Sequence, residues 1–222
     1  MPAARARDHD SPRARRRNEP QNSRSTGALQ PSERRLRVSR FSRAALRPVS
    51  IATMHDDATK KIGDDRIRAA GDKAFVLYEG KRTPHRSCGI CVAETFGLPT
   101  RAYQALRRGG ITGEGECGAI KAGELVLGEL LGDPDPTAPV TDALRRAAVR
   151  YREIWRAALA GHVGDSIVCN DLVARFPLFQ SAERMSSCTR IASETAAAVA
   201  RVLAEAGVEF EIPPLDLEDP RS

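Results

Sequence analysis

The chain reads as an all-α protein: a compact bundle of about six to seven helices behind a disordered N-terminal leader. Three observations lead there. From residue 64 onward, apolar residues recur three and four positions apart, the spacing of one helix face. Glycines and prolines punctuate the chain where such stripes end. Segments that alternate in the manner of strands are nearly absent, with Val208-Glu209-Phe210-Glu211-Ile212 the single candidate.

In chain order, Asp64 or Asp65 caps a first helix with Ile67, Ala70, Ala74, Leu77 and Tyr78 along its apolar side. A second helix sets Cys88, Cys91, Val92, Thr95 and Phe96 on one face. Thr100, Ala102, Tyr103 and Leu106 make a short third helix that Gly109-Gly110 ends. Cys117, Ile120, Leu127 and Leu131 line a fourth, in which Gly118, Gly123 and Gly128 permit close backbone approach. After Asp133-Pro134-Asp135-Pro136 comes a long fifth helix, with a stripe of Val140, Leu144, Ala147, Tyr151, Ile154, Trp155, Ala158 and Leu159 and a stop at Gly161. A short sixth runs from about Cys169 to Phe176, where Pro177 breaks it. The last carries Cys188, Ile191, Thr195, Val199, Val202 and Ala206 and ends at Gly207, with Ser186-Ser187 as its cap. The helical domain thus spans residues 64–207, followed by a tail over 208–222.

Residues 1–53 are dominated by Arg, Ser, Pro and Asn, and their few apolar residues show no period, as in disordered segments. Residues 1–54 hold 13 Arg and 4 acidic groups, a charge of +9, so the rest of the chain, at +6 − 9, carries −3. The basic balance belongs to the leader, and the domain itself lacks the Lys and Arg surface that nucleic acid requires. An Arg- and Ser-rich leader is compatible with an organellar transit peptide or a basic arm. The preferred reading is upstream DNA translated ahead of a start at Met54, since Arg outnumbers Lys 30 to 5 in the manner of GC-rich codons. No apolar run is long enough for a membrane span, and no secretory signal is visible. Five cysteines without an export signal point to a reducing, cytoplasmic setting, and the odd number excludes full pairing within one chain.

Four of those cysteines, Cys88, Cys117, Cys169 and Cys188, fall where helices are expected to start. A helix N-terminus exposes unpaired N–H groups and the positive end of the macrodipole, which favour a thiolate. Only the thiolate attacks disulfides or binds metal. Cys88-Gly89-Ile90-Cys91 has redox-dithiol spacing, with Lys81, Arg82, His85 and Arg86 as a basic setting for Cys88. Its bland alternative is two cysteines sharing an apolar face. Val92 after Cys91 excludes the CxxCH haem attachment, and a thioredoxin-like motif would need a sheet. Glu114 and Glu116 oppose ionisation of Cys117, or else lie in solvent and complement the dipole. His85 and His162 are the histidines within reach as base or ligand, and Arg107-Arg108 and Arg145-Arg146 read as exposed faces.

Together these residues resemble the family named for its cysteine pattern, C_GCAxxG_C_C, over about Arg66 to Leu203. Ala74-Phe75 and Leu77-Tyr78 leading to Cys88 and Val92 are similar to its first cysteine segment. Cys117-Gly118-Ala119 with Leu125-Val126-Leu127-Gly128 looks like its CGA motif. Gly164-Asp165-Ser166 through Cys169 and Leu172 resembles the third segment, and Cys188 the fourth. Two departures stand out: Ala122 holds the place of the motif's final glycine, with Gly123 next, and Cys91 is additional to the four. The resemblance implies a compact helical domain with redox-active cysteines.

The expectation is therefore a thiol–disulfide redox protein in which Cys88 attacks and Cys117 or Cys91 resolves, with Cys169 and Cys188 at the same end of the bundle. Its partners would be protein dithiols or small redox molecules, and the sequence leaves the cofactor open between none and the Zn or iron–sulfur alternatives below. The alternatives are Zn or an iron–sulfur cluster held by Cys88, Cys117, Cys169 and Cys188, and a helical module whose cysteines are structural.

Overall fold

A computed structural model describes residues 51–215; residues 1–50, most of the expected leader, and the last residues of the tail lie outside them. Among these residues there are six α-helices: α1 (Ile51–Glu79), α2 (Cys88–Thr95), α3 (Gly118–Leu131), α4 (Asp142–Ala158), α5 (Cys169–Ala174) and α6 (Ala182–Glu205). The short third helix of the sequence is a 3₁₀ turn over Ala102–Leu106. Among the described residues there is no strand, so the all-α class holds, and the single β-type pairing is an isolated antiparallel bridge between Glu116 and Val168.

The long helices α1 and α6 form the largest helix–helix contact. Small residues let them approach: Gly71 of α1 faces Ser193 and Ala197 of α6, and the Ser193 hydroxyl donates to the Gly71 carbonyl at 2.9 Å. The core contains the stripe expected on α1, namely Ala70, Ala74, Leu77 and Tyr78, together with Val92, Ile120, Leu127, Val199 and Leu203. α4 contributes Tyr151 and Trp155. The Tyr151 hydroxyl donates to the Ile120 carbonyl at 2.7 Å, and it occupies the space that a side chain at position 123 would fill. Gly123, beside the departure at Ala122, is thus what admits α4 to α3.

Several local expectations are corrected. α1 begins at Ile51, well before Asp64 and Asp65, and passes Met54 without a break. Both aspartates lie on its solvent face, where a carboxylate is tolerated mid-helix, and Asp65 pairs with Arg68 at 3.5 Å. α6 begins one and a half turns before Ser186-Ser187, because Ser181 is the cap and accepts the Arg184 N–H at 3.2 Å. Val140 precedes α4 and is exposed, as is Ala158, since Thr141 caps that helix and its stripe turns inward only from Leu144. A side chain at Gly128 would meet open space, so no close approach depends on that glycine.

The segment 208–212 is not a strand, and among the described residues no β-bridge involves it. It folds back on the core instead. Phe210 is buried with its ring 6.1 Å from that of Phe96, and Lys73 Nζ donates to the Pro213 carbonyl at 2.8 Å. No described helix is long and apolar enough to cross a membrane.

Candidate functional site

The cysteines gather where the first turns of α2, α3 and α5 meet the early turns of α6. Cys88 opens α2, Cys117 is the N-cap residue of α3, and Cys169 opens α5. Cys188 is the correction: it sits in the second turn of α6, so no free N–H groups of that helix reach it.

Close backbone packing brings α2 and α3 together. A Cβ on Gly118 would clash with the Leu106 carbonyl oxygen and come within 3.2 Å of the Cys88 Cβ. Only glycine there lets the starts of α2 and α3 abut, which places Cys88 beside Cys117. The Glu116–Val168 bridge performs the same task for Cys117 and Cys169: the Cys117 N–H donates to Ile167 O at 2.7 Å and the Cys169 N–H to Gly115 O at 2.9 Å. Cys88 itself holds φ +30°, a left-handed value that costs a non-glycine residue about 1–3 kcal/mol.

All five cysteines are free thiols. Cys88 is the hub, since its charge is felt at Cys91, Cys117 and Cys169, and it in turn feels Cys188. Cys91 is fully buried and its thiol donates to the Cys88 carbonyl at 2.8 Å. Burial pushes the Tyr78 hydroxyl pKa up, and Cys88 and Cys188 lie close enough to add to that shift.

Burial dominates the electrostatics. It pushes the Cys117 thiol up to about 12, with the neighbouring Cys88 adding to it, while the N–H groups of Ala119 and Ile120 at the start of α3 pull the other way. The helix N-terminus thus acts on Cys117 in the expected sense and loses to desolvation. Burial also raises Cys169 to about 11 and Cys91 well above the ordinary thiol value. Cys88 is raised by burial too, opposed by the Arg108 N–H, the Tyr78 hydroxyl and the charge of Arg184.

The basic setting expected for Cys88 is elsewhere. Lys81 pairs with Glu79 at 2.6 Å and Arg86 with Glu94 at 2.9 Å. Neither Glu114 nor Glu116 is what opposes ionisation of Cys117, and Glu116 pairs with Lys121 at 2.7 Å. His85 packs edge-on against the Tyr78 ring and hydrogen-bonds the Tyr78 carbonyl through Nδ1. His162 lies among Arg175, Arg190 and Glu194, and no cysteine is among the groups that shift it.

Sequence reasoning missed Tyr78 and Arg184 as neighbours of the thiols. Arg184 precedes Cys188 by one helical turn, a relation visible only once α6 is known to start at Ser181. Among the described residues no group of three or more His, Cys, Asp or Glu side chains is placed to hold a metal ion. Compared with family models, with curated proteins and with solved structures, the chain matches none of them.

Proposed function

We propose that the protein is a thiol–disulfide redox protein of the C_GCAxxG_C_C kind, working through Cys88, Cys117, Cys169 and Cys188 on dithiols and disulfides of other molecules. The observation that carries this reading is the position of Cys88. Its thiol is electrostatically coupled to the other cysteines, its backbone is held at φ +30°, and a buried hydroxyl faces it. Strained backbone at a reactive group is a common mark of a working site.

In this reading the Cys88 thiolate attacks a disulfide sulfur, one partner thiol leaves, and a second cysteine displaces the other. In place of Cys117 or Cys91, Cys188 is assigned as the resolving thiol, since its charge acts on both Cys88 and the neighbouring Tyr78 hydroxyl. Cys117 and Cys169 complete the site, and Cys91, fully buried and bonded to the Cys88 carbonyl, supports it from behind. Burial raises the pKa of the attacking Cys88 thiol, so exchange accelerates with pH and is still rising above pH 9. A rate already flat by pH 8 contradicts that ordering.

The test is Cys88→Ser in the reduced chain, followed by disulfide formation and circular dichroism. Loss of exchange with helicity intact is the expected result. Unchanged turnover removes Cys88 from the mechanism, and thiols inert to mild oxidation in the parent chain leave the cysteines as core residues.

A further inference from the structure

Arg184 is only 7% exposed, yet no carboxylate pairs with it among the described residues. Its Nε donates to the Phe179 carbonyl at 2.5 Å, and its guanidinium carbon lies 4.3 Å from the centroid of the Phe179 ring. Arg108 lies over that same ring at 5.0 Å, also without a carboxylate partner. Both charges reach Cys169, and that of Arg184 reaches Cys88 and Tyr78 as well. A buried cation needs an anion or a full set of acceptors. The thiols beside it are held neutral by burial, so they do not supply one. The Phe179 ring that both guanidiniums cover is itself 39% exposed.

We propose that Arg184 and Arg108 bind the carboxylate end of a small acidic disulfide, so that the thiol site selects anionic low-molecular-weight disulfides over neutral or cationic ones. This rests on the thiol-exchange reading above. Arg184 is too deeply buried for a bulky protein surface to reach, which favours a small substrate. The chemistry balances within one turnover. Cys88 attacks one sulfur, the substrate S–S bond breaks, and the leaving thiolate takes up a proton. Cys188 then attacks the Cys88 sulfur, releasing the second thiol and leaving a Cys88–Cys188 disulfide. The protein loses two electrons and the small disulfide gains them.

The experiment follows release of the small thiol from oxidised glutathione, 2-hydroxyethyl disulfide and cystamine by the fully reduced full-length chain, each normalised to its rate with free dithiothreitol. Oxidised glutathione is expected to exceed cystamine by about tenfold or more, and added salt to shrink the ratio. Arg108→Gln, at an exposed position, and Arg184→Gln should each lower that ratio severalfold. Equal normalised rates, or a preference that Arg108→Gln leaves untouched, overturn the proposal. Glutathione sulfonate, which carries the same carboxylates and cannot exchange, separates the two readings. Its binding, seen as shifted amide resonances and lost in Arg108→Gln, supports the anion site even where no disulfide reacts, whereas exchange without charge preference or sulfonate binding leaves the thiol chemistry and removes the anion site.

Discussion

Among the described residues the bundle buries two cations, and they are satisfied in different ways. Lys73 on α1 donates to the Thr95 carbonyl at 3.3 Å and to the Pro213 carbonyl at 2.8 Å. Burial lowers its pKa, while the nearby Glu94 carboxylate raises it. Lys73 therefore ties three segments, α1, the end of α2 and the returning tail, through acceptors the backbone already offers. Arg184 on α6 has one carbonyl, an aromatic face and a group of thiols. A buried charge whose acceptors are supplied by the fold acts as a clasp. One whose remaining side faces thiols is, on the proposal above, the one a ligand would engage.

That contrast is open to attack at both ends. The largest effect is expected from Gly118→Ala. A methyl group there meets the Leu106 carbonyl oxygen, which is backbone and cannot move aside cheaply. The loss should be about 3 kcal/mol in denaturant unfolding, and the exchange activity should fall further than stability alone explains. A variant as stable and active as the parent would show that the Cys88–Cys117 approach does not depend on that glycine.

Next is thiol reactivity. With Cys169 raised by burial to about 11, its alkylation at pH 8 should be about a hundredfold slower in the folded chain than in urea. The same shifts carry a sign for stability. Groups whose folded pKa is raised contribute fully below the ordinary thiol value of 9.0, and their contribution is lost as pH climbs through about 11 and 12. Unfolding free energy should therefore decline from pH 9 upward. A stability that stays level to pH 11 would mean the thiols are better solvated than their surroundings indicate.

The smallest expected change is at the clasp. Lys73→Met keeps the apolar stem and removes both donors, for a loss of about 1–2 kcal/mol. Limited proteolysis should then cut near Pro213 first, with the thiol chemistry unaffected. Faster exchange in this variant would join the two regions that the contrast separates.

The helices were legible in the sequence because a buried face leaves a period. The stripe Ala70, Ala74, Leu77, Tyr78 on α1 and Cys91, Val92, Thr95 on α2 lie inside, and the Gly123 beside Ala122 marks a true close approach. Helix starts were less legible. Asp64, Asp65, Ser186 and Ser187 carry the side chains of a cap, and nothing local tells a cap from a polar residue on a solvent face. The misplaced start of α6 had a cost, since it hid the one-turn relation between Arg184 and Cys188. Arg108 likewise read as surface because its partner ring, Phe179, comes from far along the chain.

What the sequence by itself determined is the all-α class, the faces of the helices and the starts of α2, α3 and α5 at cysteines, all consequences of short-range backbone geometry and amphipathic spacing. Only the tertiary structure decided which cysteines meet, that Cys188 joins them from mid-helix, and that Tyr78 and Arg184 stand over them. It also decided the sign of the thiol shifts, because desolvation depends on everything packed around a sulfur, whereas the helix N-terminus that favours its anion is a property of a few neighbouring residues.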